Sequence, residues 1–300
     1  MSTGRMHADE ADIDEGLVRR LVGAQFPAWG GLDVARVDSA GTSNAMYRLG
    51  ADMVVRLPRV AGAARDVERE QAWLPRIAPA LSVAIPVPLG RGRPGEGYPY
   101  PWSVFRWLEG ATPDPDRELA EPVRFGRDAA EFVTALRAVD PAGAPAAYRS
   151  GPLAERDDET RAVLAALGDA VDGPAATAVW EAALGAPAWP GPPVWVHGDL
   201  QPGNVLVERG RLGAVIDFGC MGTGDPAVDL ISAWYLMNAE ARESFRATLG
   251  PATDDPMWAR GRGWALTIAL MELSYYHRTN PVMARIARRV VARLTGRGAG

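Results

Sequence analysis

One short segment, residues 194–219, interrupts a C-terminal region whose apolar residues otherwise recur at helical spacing. Two strand-like runs inside it are joined through Gly210-Arg211. Glycine at the first loop position suits a two-residue type II′ turn, so the segment predicts a β-hairpin. A hairpin centred on that turn would place Asn204 and Asp217 opposite each other, with their Cβ atoms about 5 Å apart.

The side chains of this hairpin indicate a particular chemistry. Oxygen ligands such as those of Asn204 and Asp217 are the kind that Mg²⁺ prefers. Asp199 precedes Asn204 across a short turn, and its carboxylate can accept the proton of an incoming hydroxyl group. Phosphoryl transfer needs this combination, in which oxygen ligands hold Mg²⁺ against the phosphates and a separate carboxylate orients the nucleophile.

Hydrophobic periodicity divides the chain into two regions. The first, up to about residue 110, predicts a small antiparallel sheet with strands at 33–38, 45–49, 53–57, 83–89 and 101–107, and helices at 13–26 and 63–74, the latter stopping near Pro75. The second predicts helices at 122–139, 158–169, 174–184, 226–248, 257–276 and 280–295. The expected fold class is therefore α+β, with a β-rich N-terminal lobe and a mainly helical C-terminal lobe that carries the hairpin.

Composition excludes several classes of enzyme. The chain has no lysine, so all 32 basic residues are arginine. A lysine Schiff base and a Walker-type phosphate loop are therefore excluded, because each needs a primary amine. One cysteine excludes an internal disulfide, and three scattered histidines make a histidine-rich metal site a poor expectation.

Charge and hydropathy bear on the partners. A net charge of -5 does not suggest a nucleic-acid binder, which is usually basic. No apolar run reaches the roughly 18 residues that a membrane-spanning helix needs. The first residues are acidic, unlike a secretory signal. We expect a cytoplasmic protein, a monomer or homodimer, that binds neither nucleic acid nor membranes.

The motifs of the segment resemble those of a known family. His197-x-Asp199-x-x-x-x-Asn204 followed by Asp217-Phe218-Gly219 is similar to the catalytic loop and metal-binding triplet of the protein-kinase-like fold. The His-Gly-Asp form resembles the aminoglycoside phosphotransferase family, and so do Asp225-Pro226-Ala227-x-Asp229-Leu230, the loop Gly41-Thr42-Ser43-Asn44 and the strand Val54-Val55-Arg56-Leu57-Pro58.

The resemblance implies a two-lobed, protein-kinase-like fold. Residues 1–110 would form the nucleotide-binding lobe, with a hinge at about 105–110, and residues 111–300 would carry the catalytic loop and the acceptor site. ATP or GTP would bind with Mg²⁺ between the lobes and donate its terminal phosphoryl group to an alcohol of a small molecule.

The resemblance also assigns roles to residues. Asp199 would be the catalytic base, Asn204 and Asp217 would ligate Mg²⁺, His197 would be structural, and Asp229 would brace the catalytic loop. Ser43 and Asn44 would offer backbone N–H groups to the phosphates, and Arg106 and Leu108 would contact the purine. Arg56 would bind the α- and β-phosphates and pair with Glu70, or else with Glu68.

Arg56 departs from the family pattern, because kinases normally have lysine at this position. An arginine fork is not equivalent to a compact ammonium group, although it pairs well with phosphate and carboxylate together. We therefore interpret Arg56 as functional, with its equivalence to the usual lysine left as an open alternative.

Acceptor specificity is less constrained. Candidate acceptor contacts are Glu272, Tyr275 and Tyr276, with Asn280 just beyond them on the chain. An acidic cleft would favour a polycationic aminoglycoside, whereas a cleft lined by Trp and Tyr would favour a macrolide or another bulky alcohol. We expect an aminoglycoside or related antibiotic, which implies a role in antibiotic resistance. A macrolide or an endogenous alcohol is the alternative.

Two other functions compete with this one. A non-catalytic nucleotide-binding regulator, a pseudokinase, has its only support in Arg56, and the intact set Asp199, Asn204 and Asp217 argues against it. A protein kinase is disfavoured because Asp225-Pro226 follows Asp217 so closely that little room is left for a peptide-docking activation loop.

Overall fold

The computed structural model describes residues 11–37, 43–114 and 117–296. Contacts divide these residues into two compact units. The first contains the described residues up to Gly110 together with Ala214–Gly219, and the second contains those of Ala111–Gly213 and from Cys220 onward. Residues 214–219 thus group with the first unit, although they lie within the range predicted for the second lobe.

The first unit is built on an antiparallel five-stranded sheet with the strand order β1-β2-β3-β5-β4. Its strands are β1 (Val34–Arg36), β2 (Asn44–Leu49), β3 (Met53–Pro58), β4 (Pro88–Gly92) and β5 (Trp102–Arg106), and its helices are α1 (Glu15–Gln25) and α2 (Ala61–Ile77). Burial alternates along β2, where Ala45, Tyr47 and Leu49 enter the core, as the period of a half-buried strand requires.

Helix α2 continues past the point at which the sequence predicts its end. Pro75 lies inside it, and the helix ends at Ile77. Proline removes only one hydrogen bond in a last turn, and the buried side chains of Leu74 and Ile77 hold that turn against the unit's core. The same buried face carries Glu70, a charged residue among apolar ones.

The predicted strand at 83–89 is wrong in position, since β4 begins only at Pro88. Pro86 and Pro88 cannot donate to a ladder, which leaves Ala84 with an isolated bridge to Ala214. Strand β4 instead includes Gly92, where a Cβ atom would lie 1.9 Å from the indole of the fully buried Trp102.

The second unit is mainly helical. Its helices are α3 (Pro122–Arg137), α4 (Asp157–Leu167), α5 (Gly173–Leu184), α6 (Ser232–Tyr235), α7 (Ala239–Leu249), α8 (Asp255–Tyr276) and α9 (Pro281–Leu294). Helix α8 is buried on all sides over residues 263–270 and packs against α4, α5 and α9, as expected of a central helix. Strand β6 (Val194–Val196) pairs antiparallel with β9 (Gly222–Gly224), and β7 (Val205–Glu208) pairs with β8 (Arg211–Val215), whose last two residues belong to the first unit.

The helix predicted over 226–248 is not continuous. A 3-10 helix, Pro226–Ile231, leads into α6, and α7 starts afresh after Asn238. The side chain of Asn238 accepts a hydrogen bond from the backbone N–H of Ala241, which makes it the N-cap of the new helix.

The hairpin is also corrected. Its loop is Arg209-Gly210, with φ of 51° and 76°, which matches a type I′ turn rather than the predicted type II′ turn at Gly210-Arg211. Asn204 ends a 3-10 turn before β7, and Asp217 lies beyond the end of β8. The prediction that these two residues face each other across the ladder is therefore wrong.

The predicted α+β class is confirmed by this combination of an antiparallel sheet and a helical unit. Among the described residues, no helix combines the length and the apolar character that a membrane crossing requires.

Helices α3 and α7 pack so closely that their contact requires a glycine, Gly126, on α3. A Cβ atom at Gly126 would lie 2.1 Å from the carbonyl oxygen of Ala241. We expect Gly126→Ala to lower the free energy of unfolding by about 2 kcal/mol, because the two backbones must move apart. Urea denaturation measures this change. Gly23→Ala in α1 is the matched control, since nothing lies within 4 Å of its new methyl group. Equal effects of the two substitutions would contradict the packing argument.

Candidate active site

A buried carboxylate holds the loop that follows β6. The backbone N–H groups of His197 and Gly198 donate to the two carboxylate oxygens of Asp229, over 3.0 and 2.8 Å. His197 is itself fully buried, and its Nδ1 accepts a hydrogen bond of 3.2 Å from the backbone N–H of Asp199. Burial raises the pKa of Asp229, while His197 and the two backbone donors oppose that rise. His197 and Asp229 thus make the structural contacts that the sequence predicts for them.

The carboxylate of Asp199 accepts hydrogen bonds at both oxygens. Its Oδ1 accepts from Nη1 of Arg149 at 2.9 Å and from Nε2 of Gln201 at 3.0 Å. Its Oδ2 accepts from Nδ2 of Asn204 at 2.9 Å, and the same nitrogen donates to the backbone carbonyl of Asp199 at 2.8 Å. The carboxylate is therefore fixed in orientation, and Oδ2 has a lone pair to which no described residue donates.

The Asn204 amide is oriented by these bonds. Because Nδ2 is held by Asp199, the opposite end of the amide presents Oδ1, to which no described residue donates. A neutral amide oxygen of this kind is a hard ligand that fits Mg²⁺. Within the described ranges no three His, Cys, Asp or Glu residues cluster as a metal site. A Mg²⁺ ion here would take the rest of its shell from water and phosphate oxygens, as this ion commonly does.

In the first unit, Arg56 joins three oxygen-bearing side chains. Its Nη1 lies 2.5 Å from Oε1 of Glu70, and its Nη2 lies 2.5 Å from Oδ1 of Asp217. With the Asn44 amide turned so that Oδ1 faces the guanidinium, that oxygen accepts from Nε at 3.1 Å and from Nη2 at 2.9 Å. Glu68 pairs with Arg91 instead, so Glu70 is the partner of Arg56.

Burial and charge act in opposite directions on this cluster. Burial by itself would lower the pKa of Arg56. The charges of Glu70 and Asp217 outweigh this effect and raise the pKa above its ordinary value, so the guanidinium is permanently charged. Burial raises the pKa of Glu70, and Arg56 counteracts part of that rise. Since Glu70 is only 2% exposed, its charge depends on Arg56 for compensation.

Asp217 occupies an unusual backbone conformation, with φ of 61°. This left-handed region is uncommon outside glycine, although aspartate tolerates it better than most residues. The turn is held by α2, where Nη1 of Arg69 donates to the backbone carbonyl of Gly219 at 2.8 Å. Asp217 is half exposed, and its Oδ2 accepts no hydrogen bond within the described ranges.

The remaining predicted nucleotide contacts lie at the ends of strands. Ser43 and Asn44 stand at the start of β2, while Gly41 and Thr42 lie outside the described residues. Arg106 ends β5, and its N–H donates to the carbonyl of Val87, which leaves that donor unavailable to a purine. The backbone groups of Leu108 have no hydrogen-bond partner in the described part of the chain, which suits a purine contact.

A cavity of about 540 Å³ opens in the second unit. All three predicted acceptor contacts, Glu272, Tyr275 and Tyr276, line it. The other lining residues are Tyr148, Arg149, Arg156, Glu159, Trp264, Thr267, Ile268, Met271 and Ser274. Asn280 is not among them, because its side chain caps α9 by accepting from the N–H of Met283. The cavity therefore has aromatic walls with an equal number of arginines and glutamates.

Glu272 connects the cavity to the loop that carries Asp199. Its Oε1 accepts from Nε2 of Gln201 at 2.8 Å, and its Oε2 accepts from the hydroxyl of Tyr235 at 2.8 Å. Burial raises the pKa of Glu272 to about 7, and the nearby charge of Asp199 adds to this rise. Gln201 thus donates to both Glu272 and Asp199, which ties the cavity wall to the predicted base.

The sequence analysis missed three residues of this network. Gln201 lies within the catalytic-loop motif, so its spacing from Asp199 could have drawn attention to it. Tyr235 and Arg149 lie in segments without a motif, and the sequence carries no signal that would have identified them.

Comparison with known proteins now decides the family. The model of the phosphotransferase enzyme family, APH, matches residues 34–264. The chain belongs to this family. The resemblance inferred from the catalytic segment is confirmed, and so is the predicted enzyme class, phosphotransferase. No match was found among curated protein sequences.

Solved structures of aminoglycoside and macrolide phosphotransferases share the fold. The GDP complex of wild-type aminoglycoside 2'-phosphotransferase-IIIa has a TM-score of 0.72 and 19% identity, over 95% of this chain and 99% of that one. The GDP and kanamycin complex of APH(2")-IIIa has a TM-score of 0.71 and 20% identity, over 93% and 98%. The macrolide 2'-phosphotransferase MphH from Brachybacterium faecium has a TM-score of 0.59 and 24% identity, over 90% and 98%. The predicted kinase-like fold is confirmed by these similarities.

The Arg56 pair makes a testable contribution to stability. We expect Arg56→Met to lower the free energy of unfolding by about 3–5 kcal/mol, because Glu70 would be left buried without a counter-charge. Urea denaturation at pH 7 measures the loss. Arg91→Met, which removes the exposed ion pair with Glu68, is the control and should cost no more than about 1 kcal/mol. A loss at Arg56 no larger than at Arg91 would refute the role of Arg56 as the counter-charge.

Glu272 predicts a pH dependence of stability. Its pKa is raised in the folded protein from the usual 4.5 to about 7, so the folded state binds the proton more tightly than the unfolded state. The contribution of Glu272 to the free energy of unfolding is fully present below about pH 4.5 and is lost as the pH rises through about 7. Between pH 5 and 8 the wild type should lose about 2.5 kcal/mol more than Glu272→Gln, measured by urea denaturation at each pH. Identical slopes for both proteins would show that Glu272 ionises without cost.

Proposed function

We propose that the protein transfers the terminal phosphoryl group of ATP or GTP to a hydroxyl group of a small molecule. The observation that carries this proposal is the state of Asp199. Its carboxylate is fixed by three donors and retains an open acceptor position on Oδ2. Gln201 and Arg149 connect it to the cavity of about 540 Å³.

Asp199 acts on the acceptor hydroxyl. A hydrogen bond from that hydroxyl to Oδ2 would orient the acceptor oxygen for in-line attack and would hold its proton as the bond to phosphorus forms. Since the transition state of phosphoryl transfer is loose, most of the catalysis comes from positioning and charge neutralisation.

Asn204 and Asp217 are the proposed Mg²⁺ ligands. Each presents a hard oxygen that no described residue donates to, Oδ1 of Asn204 and Oδ2 of Asp217. When bound, Mg²⁺ would neutralise charge on the phosphate oxygens. Arg56 pairs with the other oxygen of Asp217, Oδ1, at 2.5 Å.

Arg56 is proposed to contact the α- and β-phosphates. Its donors already serve Glu70, Asp217 and Asn44, so a phosphate would have to share or displace one of these partners. Glu70 would keep the guanidinium in place. Ser43 and Asn44 are proposed to offer N–H groups to the phosphates, and Leu108, with Arg106 before it, to contact the purine. The structural neighbours include GDP complexes and an ATP complex of APH(2")-IIa, which supports a nucleotide donor of either type.

The proposed acceptor is an aminoglycoside or a related antibiotic, bound against Glu272, Tyr275 and Tyr276. Support comes from neighbours solved with kanamycin and gentamicin. The aromatic walls of the cavity are a specific observation in favour of a second class, a macrolide or another bulky alcohol. An antibiotic acceptor of either class would imply a role in resistance.

A non-catalytic regulator is the weaker proposal. Membership in a phosphotransferase family argues against it, as does the presence of Asp199, Asn204 and Asp217. The cytoplasmic location and the monomeric or dimeric state remain predictions.

The central test is release of NDP with Mg²⁺ and either ATP or GTP, in the presence of aminoglycosides, macrolides or simple amino alcohols. We expect turnover with one acceptor class. Asp199→Asn should lower kcat by about 10²–10⁴-fold, because the acceptor proton loses its base. Asp172→Asn is the matched control, since the change is chemically the same and asparagine also caps a helix.

The outcomes separate the alternatives. Turnover that is lost in Asp199→Asn and in Asp217→Ala supports the proposal and names the acceptor class. Binding of Mg·NTP without turnover for any acceptor would favour the regulator. Absence of nucleotide binding would rule out both.

A further inference from the structure

The chain between α3 and α4 includes a short segment, residues 145–149, that lies beside β9 and forms an isolated bridge at Ala146. The N–H of Thr223 donates to the carbonyl of Pro145 at 2.8 Å, and the N–H of Ala147 donates to the carbonyl of Thr223 at 3.0 Å. The backbone N–H of Tyr148 then donates to the carbonyl of Cys220 at 3.1 Å. These main-chain bonds fix the segment, and so the starting point of the next side chain, Arg149.

A glycine permits this close approach. A Cβ atom at Gly222 would lie 2.4 Å from the backbone nitrogen of Ala147, a distance at which the segment would have to move. The position of residues 145–149 therefore depends on the absence of a side chain at position 222.

The segment ends with Arg149, whose guanidinium binds the catalytic loop twice. Its Nη1 donates to Oδ1 of Asp199 at 2.9 Å and to the carbonyl of Gly198 at 2.6 Å. The side chain is only 16% exposed. Burial lowers the pKa of Arg149, while Asp199 and other acidic groups raise it above its ordinary value. Burying a guanidinium is costly unless it is paired, and here Asp199 is the partner.

The contact decides which oxygen of Asp199 is open. Gln201 and Asn204 belong to the same loop as Asp199 and donate to opposite oxygens, so they do not by themselves distinguish the oxygens by charge. Arg149 is the cationic donor, and it occupies Oδ1. Oδ2 is therefore the oxygen left with room for a further donor.

We propose that Arg149 is a positioning residue for phosphoryl transfer, which holds the carboxylate of Asp199 so that Oδ2 receives the acceptor hydroxyl. The inference rests on the proposed function, because it assigns a task within that reaction. Arg149 also lines the cavity, so the acceptor binds beside the group that orients its base. Without Arg149, the Asp199 carboxylate would be held only by Gln201 and Asn204, which belong to its own loop, and its orientation would be less well fixed.

The test compares Arg149→Met and Arg149→Lys with the wild type, using the acceptor class that supports turnover. We expect Arg149→Met to lower kcat about 10²-fold, the usual effect of misplacing a reacting group by about 1 Å, with the nucleotide KM nearly unchanged. Arg149→Lys should recover part of kcat, because the ammonium keeps the charge and can make one of the two bonds. Millimolar guanidinium should partly restore Arg149→Met.

Arg260 offers a matched control. It is also a buried arginine in the second unit, and it binds one carboxylate, Asp225, and one carbonyl, that of Pro187. Arg260→Met should lower the melting temperature by a similar amount while leaving kcat of the folded protein within about twofold of the wild type. A purely structural role of Arg149 would give the same pattern as Arg260.

A second variant and a crystal structure guard against a variant that fails to fold. Gly222→Ala keeps Arg149 but displaces its segment, so kcat should fall as in Arg149→Met. A crystal structure of Arg149→Met should show the Asp199 carboxylate rotated or disordered.

The outcomes are distinct. An unchanged kcat in folded Arg149→Met, or an unmoved Asp199 in its crystal structure, would overturn this inference while the proposed function stands. A wild-type protein without turnover for any acceptor would overturn the proposed function and this inference with it.

Discussion

The two hydrogen bonds that Asp229 accepts from His197 and Gly198 determine most of the second unit's site. A buried carboxylate is unfavourable unless several donors surround it, and the backbone of the loop that follows β6 supplies two of them. The loop thereby adopts one conformation, from which Asp199 and Asn204 project. Without that anchor, the bonds between the side chains of Asp199 and Asn204 would join groups on a loop free to move as a whole. The residue that performs no chemistry thus controls the geometry of the residues proposed to perform it.

Arg56 illustrates what a chain without lysine does at a position where an ammonium is usual. A guanidinium presents five N–H donors in a fixed plane, so it can bind Glu70, Asp217 and Asn44 at once. An ammonium has three donors and is a point charge, which leaves it freer to follow a phosphate. The arginine therefore strengthens the cluster that it belongs to, but it enters any phosphate contact with its donors already engaged. This difference concerns the binding of the nucleotide more than the stability of the fold.

The fold class and the central motif could be predicted from sequence because both depend on local patterns. Apolar periodicity gives the helices, and the spacing from Asp199 to Asn204 lies within one loop. The hairpin register could not be predicted from sequence, because it depends on whether Arg209 adopts a positive φ, which composition does not reveal. The role of Arg149 could not be predicted from sequence for another reason. Its contact with Asp199 spans 50 positions and depends on main-chain pairing beside β9, which no side-chain pattern encodes.

Gln201 links the two carboxylates of the second unit's site, those of Asp199 and Glu272. One amide nitrogen carries two N–H groups, and in this protein it donates to Asp199 and to Glu272. Its position is therefore a compromise between a carboxylate proposed to act on the acceptor and one that lines the cavity. Because burial raises the pKa of Glu272 to about 7, its carboxyl group changes protonation state near neutral pH. If the proposed acceptor binds Glu272, it would compete with Gln201, which would then be free to donate more fully to Asp199. The proposed recognition of the acceptor and the proposed orientation of the base would in this way be coupled through a single side chain.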